Sequence, residues 1–132
     1  MVRGTRLTTR GTEYPDPFTY WLRKANLERV RALNLDESFV LGGVELGMHG
    51  HRGPNGARGN IHNIKRIGVK TITGHPHAPG EDEGCSQVGT STYLRLEYNA
   101  GPSSWLQGHC VLNEDEKRQL IFIIDGEYRL AS

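Results

Sequence analysis

The chain has 132 residues, 36% of them hydrophobic and 23% charged, with a net charge of +1. That describes one ordinary globular domain with a modest core, and it excludes a disordered or fibrous chain. No apolar run approaches the roughly 20 residues that cross a bilayer, and the opening "MVRGTRLTTRGTEYPDP" lacks the apolar stretch of a secretory signal. A cytoplasmic protein with no membrane partner is therefore expected, and its two cysteines, Cys85 and Cys110, are read as reduced core thiols.

The charge is uneven. Residues 1–34 carry seven basic side chains against three acidic ones, whereas the remainder is net acidic. A basic leading segment is compatible with nucleic acid, and equally with a solvated helix face. Residues 1–15 lack periodicity and are read as a flexible lead-in, leaving 16–132 as a single domain. "DPFTYWLRKANLERVRAL" then predicts a helix, with Asp16 as N-cap, Pro17 at the first position, and Phe18, Trp21, Leu22 and Ala25 on one apolar face. Asn34 is its expected left-handed stop.

"SFVLGGVEL" (38–46) reads as a buried strand interrupted by a glycine pair, and Gly47–Asn60 as a glycine-rich loop. A short helix ending at Gly68 and a strand "VKTIT" follow, the local pattern of a layered α/β arrangement. The strand delivers the chain to "TGHPHAPG". Beyond "APGEDEG", the segments "CSQVGTS", "YLRLEYN", "SWLQGHCVLN" and "RQLIFIIDGEYRL" are expected to be strands, with Leu120–Ile124 covered on both faces.

Proline at 76 and at 79 stiffens the turn that carries His75 and His77, and imidazole is a common nitrogen ligand for Zn, Mn and Fe. His49 also follows a predicted buried strand and enters a glycine-rich loop. Two strand ends that each deliver histidine into such a loop suit a site at the carboxyl edge of a sheet. From the residues alone, a metal site and a surface loop with incidental histidines stand about level.

"LGMHGHRGPNGARGN", "KTITGHPHAPG" and "CSQVGTSTYLRLEYNAGPSSWLQGHCVL" together resemble the C-terminal half of calcineurin-like metallophosphoesterases, in the phage and bacterial branch described as DNA-repair-exonuclease-like. The resemblance covers about residues 40–130. It implies an α/β (α+β) chain forming the C-terminal half of an αββα layered sandwich, here with an added N-terminal helix. It also implies two divalent metal ions, Mn first with Zn or Fe as substitutes, when the site is completed, and one or none otherwise. His49 and His75 would bind one ion and His77 the other, and the same three residues form the implied catalytic set. Such ions activate a bridging water and clamp the phosphate.

Arg52 and Arg58, in the loop after His49, are the candidate substrate-binding residues, because guanidinium forks bind phosphate bidentately. Asn55 is read as holding that loop's turn, while His51 and His62 stay outside the ligand set. His109 is a candidate for a hydrogen bond to a ligand histidine. The family's Asp-x-His, Gly-Asp-x-x-Asp and Gly-Asn-His blocks are absent. "GNIH" at 59–62 has an inserted isoleucine and lies on the wrong side of His49.

The implied activity is therefore a metal-dependent phosphoesterase, nuclease-like, acting on nucleic acid or another phosphoester. It would need a second copy or a complementary N-terminal-half chain to complete its site. The alternative is a catalytically incomplete relative that binds or regulates. Half a sandwich leaves an apolar sheet face to cover, so a homo-oligomer is expected over a monomer, with the Phe18–Leu22 face packing on the sheet.

Overall fold

The computed structural model describes residues 7–9, 12–14, 17–27, 29–31, 33 and 37–130. They fall into two units, 1–34 and 35–132, each taken by itself. In the first, β1 (Leu7–Thr9) pairs antiparallel with β2 (Thr12–Tyr14), and α1 spans Pro17–Lys24. The helix is half the expected length, because Asn26 adopts φ 55° and stops it. The Leu27 amide reaches the Leu22 carbonyl at 2.9 Å and the Asn26 amide reaches that of Arg23 at 3.0 Å. These two bonds form a Schellman ending with asparagine in the left-handed place. The expected cap Asp16 and stop Asn34 lie outside the described residues, as does the side chain of Phe18.

The second unit is mixed α+β with two sheets. Five strands stand in the order β3 (Val40–Leu41), β4 (Val44–Glu45), β5 (Lys70–Thr73), β7 (Cys85–Gln87) and β6 (Gly80–Asp82). The middle three run parallel, and β3 and β6 are antiparallel edges. A three-stranded antiparallel sheet is ordered β10 (Glu127–Leu130), β9 (Arg118–Ile124), β8 (Gln107–Leu112).

What the sequence suggested as one buried strand at 38–46 is instead a hairpin. Gly42 and Gly43 take φ 53° and 71°, the paired positive angles of a two-residue turn matched to strand twist. Val40 and Leu41 are consequently exposed, while Val44 is fully buried. Glu83 with Gly84 and Asp125 with Gly126 repeat this turn chemistry between β6 and β7 and between β9 and β10.

The parallel strands β4 and β5 are joined through α2 (Ile61–Ile64) and a 3₁₀ turn at Lys65–Ile67, as the sequence suggested. Asn60 caps α2 by accepting the Asn63 amide at 2.9 Å, and Gly68 ends the segment at φ 77°. Ile64 is fully buried where α2 packs on β6 and β7. Among the described residues the core is small: Val44, Ile64, Cys85 and Leu120, joined by the polar Thr71, Thr73, Ser86, Gln87 and Thr90. Leu120 is buried, but cover thins along β9 and Ile124 is exposed.

"YLRLEYN" is not a strand. Asn99 accepts the Leu96 amide at 2.7 Å and donates to the Leu94 carbonyl at 2.9 Å, folding the segment into a 3₁₀ turn at Glu97–Asn99. A side chain that satisfies neighbouring backbone groups removes them from any ladder. The two sheets of this unit meet where the Gly89 amide bonds the Gly108 carbonyl at 3.0 Å and Thr90 bridges Gln107. Arg118 adds a guanidinium bond from β9 to the carbonyls of Thr71 and Gly84.

Candidate metal centre

Two loops at the carboxyl ends of neighbouring parallel strands build this region, the first after β4 and the second after β5. They are stitched by one oxygen: the His49 carbonyl accepts the amides of Gly74 at 3.1 Å and His75 at 3.0 Å. Gly50, at φ 98°, lets the first loop pass directly against Thr73, whose Cβ would lie 2.9 Å from any added Cβ. The loop then folds back under itself. Gly59 donates to the His51 carbonyl at 2.9 Å, and a Cβ there would sit 1.8 Å from the Gly50 oxygen. Asn55 turns the loop at φ 56°, the role read for it from the sequence.

These constraints bring three imidazoles together. His49 Nε2 lies 3.1 Å from His75 Nδ1, and the ring centroids are 5.0 Å apart. His51 stands 5.7 Å from His49 and 6.0 Å from His75, centroid to centroid. The sequence reading left His51 out of the set, although it stands two residues after His49, the same spacing that separates His75 from His77. Its place follows from the tuck under Gly59. The His75 ring is held below the usual imidazole pKa range, first by partial loss of water although the residue as a whole is exposed, then by the positive charge of His49, His51, His77 and Arg58. Neutral imidazole is the form that binds metal.

His77 occupies a different position. It adopts φ 60°, its ring packs edge-on to Trp105 at 4.3 Å, and its carbonyl accepts the Leu106 amide at 3.2 Å. Its Nδ1 is buried with no hydrogen-bond partner among the described residues. A buried ring nitrogen in that state calls for a ligand or water.

The donor chemistry suits a metal at His49 and His75. Two nitrogens bound to one ion at about 2.0–2.1 Å stand roughly 3 Å apart, the separation found here. Among the described residues, no group of three His, Cys, Asp or Glu side chains is arranged to enclose an ion. The acids near the histidines in sequence are already engaged. Glu45 accepts from Ser38 Oγ and from the amides of Phe39 at 3.0 Å and Gly47 at 2.6 Å. Burial pushes its carboxyl upward, but these bonds outweigh that and hold it below the usual range. Asp82 is bonded by His62 at 2.7 Å and Lys65 at 3.0 Å.

Arg52 and Arg58 are bridge partners across the loop, and both are exposed. A cleft of about 350 Å³ opens beside them, lined by Arg52, His49, His51, Met48, Glu45 and Ile67 among others. His109 lies exposed on β8, and no hydrogen bond joins it to the histidine group. Both cysteines are free, Cys85 buried and Cys110 half-buried, with burial pushing the Cys110 thiol upward.

A solved structure of a single-mutant Vps29 from Entamoeba histolytica superimposes with a TM-score of 0.51 at 21% identity, covering 77% of this chain and 61% of that one. The fold is a metallophosphoesterase-like sandwich. Within it, the histidine loops sit at the carboxyl edge of the parallel strands, where α/β sheets place their sites. Protein A1 of Escherichia phage T5 is 40% identical over 96 residues, which is 73% of this chain. The chain spans only 17% of the length of that relative, and 61% of the Vps29 chain. No family model matches the sequence. Among the described residues, no helix is long and apolar enough to cross a membrane.

Proposed function

We propose that this chain is the histidine-bearing part of a metal-dependent phosphodiesterase, nuclease-like, working in the cytoplasm of a bacterium or phage-infected host. The observation that carries this reading is the 3.1 Å approach of His49 Nε2 to His75 Nδ1 on two loops locked by one carbonyl. His49 and His75 would hold one divalent ion, and His77, with its unpartnered Nδ1, would face a second. Mn is the first candidate, with Zn or Fe next. When bound, such ions supply an activated water and charge neutralisation at the phosphate.

The chain's own residues do the rest. The shared His49 carbonyl fixes the two loop backbones before anything binds, so little backbone order is lost on ligation. Arg52 and Arg58, exposed and side by side on the loop, would take phosphate oxygens bidentately. The carboxylates come from outside this stretch: a longer chain, a second copy or a complementary chain. The β3 edge supports such completion, since Phe39, Val40 and Leu41 leave 40%, 60% and 55% of their surface exposed.

A second reading, a binding or regulatory protein without catalysis, is favoured by the engagement of Glu45 and Asp82 elsewhere. One experiment separates the two: Mn and Zn uptake with turnover of bis(p-nitrophenyl) phosphate, for the native chain, His75→Ala and His77→Ala. Histidine-dependent uptake and turnover support the phosphodiesterase. Uptake without turnover at any protein concentration supports the binding protein, and no uptake at saturating metal sinks both site assignments.

A further inference from the structure

The loop between β7 and β8 carries an aromatic row that the metal chemistry does not use. Trp105 packs edge-on to His77 on one side, and Tyr98 packs edge-on to Trp105 on the other at 5.6 Å. Tyr98 is nevertheless 74% exposed and Tyr93 is 82% exposed. Rings left this bare are not filling a core. Nor is the loop loosely held. Asn99 makes the two bonds described above, Arg95 donates to the Gly101 carbonyl at 2.7 Å, and Gln107 donates to the Thr92 carbonyl at 3.2 Å. The backbone is tied down while the tyrosines are held out.

Charge identifies the occupant. Residues 47–79 hold five basic side chains and no acidic one, together with five of the six histidines. Lys65 and Lys70 are paired with acids elsewhere, whereas Arg52 and Arg58 make no ion pair among the described residues. Arg58 acts electrostatically on His75. The sequence of groups is thus Arg58, His75, His77, Trp105, Tyr98: cationic at one end and aromatic at the other. An aliphatic protein surface would gain little from the cationic end, and an inorganic phosphate has no π-face to offer the aromatic end. An unpaired nucleotide presents both an anionic phosphate and a flat π-face, and such pairing of charge with stacking platforms is how single strands are held.

The geometry points to Tyr98, with the exposed Tyr93 in the same loop, as a base-stacking platform for single-stranded nucleic acid whose phosphate lies toward Arg58 and the histidines. This rests on the phosphodiesterase reading for its orientation but not for its test. The test is fluorescence anisotropy of a labelled 12-nucleotide oligo-dT with the full chain in EDTA, where neither metal nor turnover is needed. Tyr98→Ala is expected to weaken binding at least about fivefold with an unchanged salt slope, and Tyr98→Phe, which keeps the ring, to bind as the native chain does. Arg58→Ala is expected to flatten the salt slope by about one. Equal binding by Tyr98→Ala, preference for duplex over single strand, or no binding of the oligonucleotide overturns the platform. Failure of metal uptake with tyrosine-dependent binding intact overturns the hydrolase reading alone.

Discussion

His49 Nε2 and His75 Nδ1 stand 3.1 Å apart although 26 residues separate them in sequence, because the His49 carbonyl holds the amides of Gly74 and His75. The contact is between side chains, and the scaffold beneath it is backbone. Replacing either ring therefore leaves the loops in place. His49→Ala and His75→Ala are each expected to weaken Mn or Zn binding more than about tenfold while shifting the thermal midpoint little. Titration calorimetry and a melting curve on the same samples check this. A collapse in the midpoint would show that the rings themselves build the loops.

Gly59 is the reverse case. A methyl group there would lie 1.8 Å from the Gly50 oxygen and 2.4 Å from the His51 carbonyl carbon, both backbone atoms that cannot swing aside. Gly59→Ala should cost more than about 2 kcal/mol in urea unfolding and displace His51. A stability within about 0.5 kcal/mol of native would contradict the tuck.

The Asp82 carboxyl is held below its usual range by the Lys65 ammonium first and by His62 second. A carboxyl depressed on folding adds stability that is present above its unfolded value, near pH 4, and lost as the pH falls through the folded value. Asp82→Asn should therefore unfold at lower urea than native at pH 7, and the gap should close as the pH drops below about 4. A gap independent of pH would mean that the ion pairs are not its source.

Asn99 ties down the loop that presents Tyr98. Asn99→Ala removes two bonds to backbone and should cost about 1–2 kcal/mol locally. Hydrogen exchange should report it as faster exchange of the Leu96 amide with the β8 amides unchanged. Equal acceleration in both would point to a global effect.

Much of the fold was legible where local chemistry leaves little choice. Gly68 as a helix end follows from glycine's tolerance of positive φ, and the strand before the histidine turn follows from residue pattern. Two of the misreadings share a cause, which is that a side chain or glycine redirected a run of favourable strand residues. Gly42 and Gly43 doubled the apolar run back on itself, and Asn99 drew "YLRLEYN" out of the ladder. The β6 strand went unseen because its residues, Gly80–Asp82, carry no strand propensity and are set only by pairing with β7. At the candidate site, His49 and His75 could be read from their loops. His51 shares the spacing of the His75 and His77 pair, but its nearness to His75 rests on the loop's return at Gly59, where no side chain fits.

The single His49 oxygen that receives two amides also bears on the proposed completion of the site by a second chain or copy. Both lone pairs are used within the chain, so the spacing between the two loops is an internal property, independent of whatever supplies the carboxylates. Under the proposed completion, assembly would require only that the second chain or copy dock, with neither histidine loop to refold. The rate at which metal enters should follow the concentration of the docking partner rather than a slow unimolecular rearrangement.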